Sequence, residues 1–129
     1  MKILTALSLA LLLGACSVGY SPRYYFHNVE VANLTGGEIR NVEAEVGERL
    51  LQCDSVAVNA ICDARWGKRP YPGAGFELRW QDSSGQQFSE LLSPSVPVTL
   101  SPSRSLRVLT EISPDGSVEV IFKQDGFLF

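Results

Sequence analysis

The stretch Phe76-Glu77-Leu78-Arg79-Trp80-Gln81-Asp82-Ser83-Ser84-Gly85 decides the fold class. Its first six residues alternate Phe76, Leu78 and Trp80 with Glu77, Arg79 and Gln81, the period of a strand with one face buried and one wet. Asp82-Ser83-Ser84-Gly85 supplies turn residues, and the chain returns through Gln86 to Leu92 as the second arm of a hairpin. Ser93-Pro94-Ser95-Val96-Pro97 is incompatible with a central strand, because proline cannot donate to the ladder. After Ser101-Pro102-Ser103, Leu106, Val108, Thr110 and Ile112 recur at period two. Pro114-Asp115-Gly116 turns the chain, and Val118, Val120 and Phe122 come back along a partner strand.

The same grammar runs upstream. Val29 and Val31 alternate with polar neighbours until Gly36-Gly37, and Val42, Ala44 and Val46 oppose Asn41, Glu43 and Glu45. Ser55 to Cys62 repeats the alternation and is open to two readings, a strand or a short helical turn. Asp63 to Gly75 is the longest break in the pattern, with two prolines and several glycines, and reads as a long loop. About seven short strands, frequent turn signals and no convincing helix predict an all-β, immunoglobulin-like β-sandwich over residues 26–129. A small β-barrel is the alternative.

The stretch from Phe76 to Gly85, the proline-containing link after it, and Leu100-Ser101-Pro102-Ser103-Arg104-Ser105 before a strand together resemble the YcfL-like small envelope lipoproteins. The resemblance covers about residues 76 to 123. It implies a sandwich domain in a bacterial envelope lipoprotein and brings no established activity with it. The Cys53 and Cys62 pair and the cationic segment after it depart from that pattern.

The N-terminus carries a second resemblance. Met1 and Lys2 precede an apolar run from Ile3 to Leu13, too short to span a bilayer, which ends in Leu13-Gly14-Ala15-Cys16. This order of charge, apolar run, small residues and cysteine resembles the lipobox of bacterial lipoproteins. The competing reading is an ordinary secretory signal with a chance cysteine. The resemblance implies a signal peptide over 1–15, lipidation of Cys16 by diacylglycerol and an acyl chain such as palmitate, and a lipidated tether over 16–25. Each buried methylene contributes about 0.8 kcal/mol, so two or three chains hold the protein on the membrane. Ser17 is compatible with transfer to the outer membrane, where the expected location is lipid-anchored on the periplasmic face.

With Cys16 lipidated, Cys53 and Cys62 remain as a pair in an oxidising compartment, and a structural disulfide is the expectation. Their spacing is not C-x-x-C, which sets aside a thioredoxin-like redox pair. The chain has a net charge of −3, one unit more negative once Lys2 is removed, so general nucleic-acid binding is excluded on electrostatic grounds.

No nucleophile motif, phosphate loop or metal-ligand cluster stands out, so the chain is expected to be non-enzymatic, with no metal and no cofactor beyond the lipid on Cys16. Its single histidine, His27, sits among aromatics at the first strand. Asp54 and Asp63 each follow a cysteine of the pair; a cation site built on two carboxylates alone is a weak case, and solvated loop charges are the default reading. Arg65, Trp66, Lys68, Arg69 and Tyr71 form the candidate partner-binding loop, suited to an anionic partner through cations and rings. The other reading is that Trp66 caps the core and the cations are solvated. Tyr24, Tyr25 and Phe26 are open to headgroup contact or to packing on the domain, and the tail Asp125-Gly126-Phe127-Leu128-Phe129 to being read as a peptide by an envelope partner or to covering a sheet edge. The expected function is that of an outer-membrane-anchored binding or envelope-assembly module, recruiting an envelope protein or polymer. The alternatives are a small envelope hydrolase and an inhibitor of an envelope enzyme.

Overall fold

The computed structural model describes residues 23–73 and 75–124. The signal peptide, Cys16, most of the tether and the tail 125–129 lie outside the described residues. Eight strands follow in order: β1 (Tyr25–Asn33), β2 (Ile39–Val46), β3 (Arg49–Val56), β4 (Ile61–Pro70), β5 (Phe76–Gln81), β6 (Gln87–Leu92), β7 (Leu106–Ile112) and β8 (Val118–Gln124). They build two four-stranded sheets, one ordered β4-β1-β7-β8 and the other β3-β2-β5-β6. The chain is therefore a β-sandwich and not a closed barrel. All pairings are antiparallel except that of β1 with β7.

Period two does the packing. Phe26, Val29, Val31, Leu106, Val108 and Ile112 project from one sheet, and Ile39, Val42, Val46, Leu51, Leu78 and Trp80 from the other, into a single buried core. Trp80 also stacks on Phe88 of β6, with ring centroids 5.2 Å apart. The first hairpin, β2 with β3, closes through Gly47 and Glu48. Gly47 sits at φ 62, a left-handed conformation that glycine adopts freely.

The strands number eight where the sequence reading expects about seven, and two segments differ. β3 goes unseen because Leu50 lies beside Leu51 and breaks the alternation; Leu50 faces solvent and Leu51 the core. The alternation from Ser55 to Cys62 spans the end of β3, a turn with Asn59 at φ 62, and the start of β4, and Val58 at its middle is exposed. The expected loop from Asp63 is mostly strand. Asn28 pairs with Arg65 and Phe26 with Arg69, so β4 carries two more residues than β1 across this interval. A bulge of this kind on an edge strand accommodates Gly67, and the end of the strand accommodates Pro70.

Strand direction sorts the connections into two ends. The loop 34–38 and the turns 57–60, 82–86 and 113–117 form the far end. The start of β1, the Gly47–Glu48 turn, the links after β4 and β6 and the exit from β8 form the N-terminal end. Asn33 organises the far end. Its buried amide donates to the carbonyls of Gly37 (2.7 Å), Val56 (3.0 Å) and Ala57 (3.2 Å), while its oxygen accepts from Thr35.

Cys53 of β3 and Cys62 of β4 form a disulfide, with Cα atoms 6.5 Å apart. These strands are edges of different sheets, so the bond staples the two layers along one seam. Closing so short a segment of chain is worth about 2.7 kcal/mol on chain entropy. Cys53→Ser combined with Cys62→Ser is expected to lower the melting temperature by about 10–20 °C, read by calorimetry. Equal melting of parent and double variant would refute the staple.

Candidate functional site

The five residues read as one binding loop separate into three environments. Alternation along β4 sends Cys62, Ala64 and Trp66 inward and Asp63 and Arg65 outward. Trp66 meets Phe26 edge-on at 6.0 Å, and Tyr71 meets Phe26 at 5.9 Å and Phe122 at 5.6 Å. Both rings are thus part of the core wall rather than a ligand platform. The indole Nε1 of Trp66 and the hydroxyl of Tyr71 are buried without a hydrogen-bond partner among the described residues.

Arg65 belongs to the outward face of the β4-β1-β7-β8 sheet. Its Nε lies 3.3 Å from Asp63 Oδ2. On the other side of β1, Arg107 of β7 donates to Glu30 Oε1 of β1 from Nη2 at 2.6 Å and Nε at 3.0 Å. Asn28, with its amide nitrogen toward Glu30 (2.7 Å) and its oxygen toward Arg65 Nε (3.3 Å), links the two pairs. Glu30 is only 5% exposed although it points away from the core, because long neighbours cover it; Ile61, two residues along β4 from Asp63, is 57% exposed. Asn28, Glu30 and Arg107 carry no sequence signal, since they meet only through strand pairing.

Lys68 and Arg69 lie at the N-terminal end. The Lys68 ammonium stands 4.9 Å from the centroid of the Tyr25 ring, a cation–π contact. Arg69 borders a groove of about 390 Å³ lined by Phe26, Gly47, Glu48, Arg49, Pro70 and Pro72.

A second cleft, about 270 Å³, opens at the far end between Glu38, Asp82, Asp115 and the Trp80–Phe88 pair. Its aspartates are occupied in turns. The Ser84 hydroxyl, with the backbone of Gln86 and Ser84, holds the Asp82 carboxyl below the usual carboxylate range, and Ser117 does the same for Asp115. Asp63 pairs with Arg65, and among the described residues no group of three His, Cys, Asp or Glu side chains gathers to hold a metal ion. His27, the extra residue of a bulge in β1, has Nδ1 2.7 Å from Ser105 Oγ, a contact across 78 residues of chain. Neither residue lines the clefts described here.

No protein-family model and no curated protein matches the chain. Among solved structures it is similar to a protein from Eubacterium rectale determined by NMR, at 14% identity, covering 83% of this chain and 97% of that one with a TM-score of 0.48.

Burial pushes the Tyr71 phenol up to about 12. The unfolded chain ionises near pH 10 while the folded chain keeps the phenol neutral, so the stability this ring contributes is full below pH 10 and is lost as pH rises towards 12. Tyr71→Phe is expected to flatten the fall in urea midpoint between about pH 8 and about pH 11. At neutral pH it changes stability by less than about 1 kcal/mol, because no hydrogen bond is lost. A variant whose midpoint falls with pH as steeply as the parent's would show that the phenol is not shielded.

Proposed function

We propose that this chain is a lipid-anchored module of the bacterial outer membrane that acts by binding an envelope protein or polymer rather than by turnover. The observation that carries the reading is the short lead into the sandwich. Only residues 17–24 separate Cys16 of the lipobox-like tetrapeptide from Tyr25, where β1 begins. Fully extended, that lead reaches roughly 30 Å, so an anchored domain stays at the membrane surface. The resemblance of residues 76 to 123 to envelope lipoproteins supports the same reading.

The partner face we assign is the outward side of the β4-β1-β7-β8 sheet, where Arg65 and Asp63 flank the shielded Glu30–Arg107 pair and Ile61 stands exposed. Charged pairs around an apolar side chain give orientation and selectivity to a protein contact. Two measurements test the proposal. Globomycin is expected to accumulate the uncleaved precursor, and intact mass is expected to show the lipid on Cys16; normal maturation with globomycin would remove the anchor. A photo-crosslinking side chain at Ile61 is expected to capture a partner in cells, and one at Leu50 on the other sheet is not. Equal capture at both positions would remove the assigned face.

The hydrolase reading has one observation in its favour, the short His27–Ser105 contact. A fluorophosphonate probe decides it, since a Ser–His nucleophile pair would label Ser105. The binding-module reading expects no labelling there.

A further inference from the structure

We propose that the N-terminal end of the sandwich is a basic docking face for the anionic phospholipid headgroups of the leaflet that holds the anchor. The distribution of ion pairs carries the inference. Arg40, Arg65, Arg79 and Arg107 each pair with a carboxylate, and they lie on the sheet faces or at the start of β2 by the far end. Arg23, Arg49, Lys68, Arg69 and Lys123 have no carboxylate within salt-bridge distance among the described residues. Four of them belong to the N-terminal end: Arg23 leads into β1, Arg49 opens β3, and Lys68 and Arg69 close β4; Lys123, level with Arg107, stands on the outward sheet face next to that end. Glu48 is the carboxylate in the turn beside Arg49, with Glu45 and Glu77 one step along the neighbouring sheet face.

The far end has the opposite character. Glu38, Asp82 and Asp115 border its cleft, and the cation beside them, Arg40, is paired with Glu38. The domain is therefore charged along its long axis, basic where the lead from Cys16 arrives and acidic where it points away.

Charge complementarity and the position of the lead together choose the occupant. Surface potential acts within about one Debye length, roughly 8–10 Å, and a lead as short as residues 17–24 allows this end to enter that range. Lys68 held over Tyr25, and Arg49 and Arg69 beside the groove floored by Phe26, Pro70 and Pro72, present cations beside apolar surface, the mixture an interfacial region favours. The orientation rests on the proposed anchor, whereas the affinity of the face for anionic lipid does not.

The test therefore removes the anchor. The mature chain carrying Cys16→Ser is mixed with vesicles of phosphatidylcholine alone or of phosphatidylcholine with phosphatidylglycerol, and bound protein is separated by flotation. Expected is flotation with the phosphatidylglycerol vesicles, lost in high salt, and none with phosphatidylcholine. Combining Arg49→Gln, Lys68→Gln and Arg69→Gln is expected to weaken partitioning about 100-fold, at roughly fivefold per cation. Arg40→Gln and Arg79→Gln, away from this end, leave it unchanged, and the parent's melting temperature in the triple variant shows that the fold is intact. Should the triple variant lose the fold, Lys68→Gln alone, with an expected loss of about fivefold, replaces it. Absence of flotation with phosphatidylglycerol, equal partitioning of parent and variant, or capture of an acidic protein without vesicle binding would each overturn the proposal. None of these outcomes depends on acylation, so failure here is separable from failure of the anchor.

Discussion

The pairing of β1 with β7 on one side and β4 on the other is the constraint on which the rest of the molecule depends. β1 is buried along most of its length on both faces, which requires partners on both sides and side-chain cover above and below. Its inward residues, Phe26, Val29 and Val31, supply the middle of the core. Its outward residues, Asn28 and Glu30, force Arg107 and Arg65 to gather over them, since a carboxylate shielded from water is costly without a charged or hydrogen-bonding partner. Its last residue, Asn33, satisfies carbonyls of the far-end loops. One strand thus connects the hydrophobic core, a charged face and an end.

The bulges near the start of β1 explain both what was legible in the sequence and what was not. Strands with uninterrupted alternation, such as Phe76–Gln81 and Leu106–Ile112, are readable because their pattern is a direct projection of one buried face. The segment from Asp63 to Pro70 is not. Two additional residues in β4 opposite β1 put Gly67 and Lys68 out of phase, and proline at the strand end adds a loop-like composition. An edge strand tolerates all of these because only one side of it is hydrogen-bonded. The disulfide was legible from cysteine number and spacing, but its role in joining two sheets follows only from both strands being edges.

The candidate site was legible in composition and not in geometry. Sequence proximity places Arg65, Trp66, Lys68, Arg69 and Tyr71 together, whereas alternation and the bulge send the rings to the core, Arg65 to the sheet face and Lys68 and Arg69 to the end. The rings are core residues because Phe26 needs cover at the margin of the sandwich, and Trp66 and Tyr71 meet it edge-on from β4 and the residue after it. Burying their polar atoms unpaired costs free energy. The apolar area of the same two rings offsets that cost. Asn28, Glu30 and Arg107 were invisible beforehand for a simpler reason: Glu30 and Arg107 are 77 residues apart, and no local pattern encodes a pairing between strands.

The dispersal has a physical consequence. Had the five residues formed a single loop, their cations and rings would make one small anionic-ligand site with the rest of the sandwich as scaffold. With Arg65 paired to Asp63, the cations without a carboxylate partner among the described residues gather at or next to the N-terminal end, spread over the lead into β1, the start of β3 and the ends of β4 and β8. Arg49 and Arg69 share a groove, but the cations as a set are spread over several strands, a distribution that matches an extended anionic surface, whose attraction sums over every charge that comes within the screening length. In the proposed docking, the sheet face that carries Ile61 and Arg65 is left open to the side.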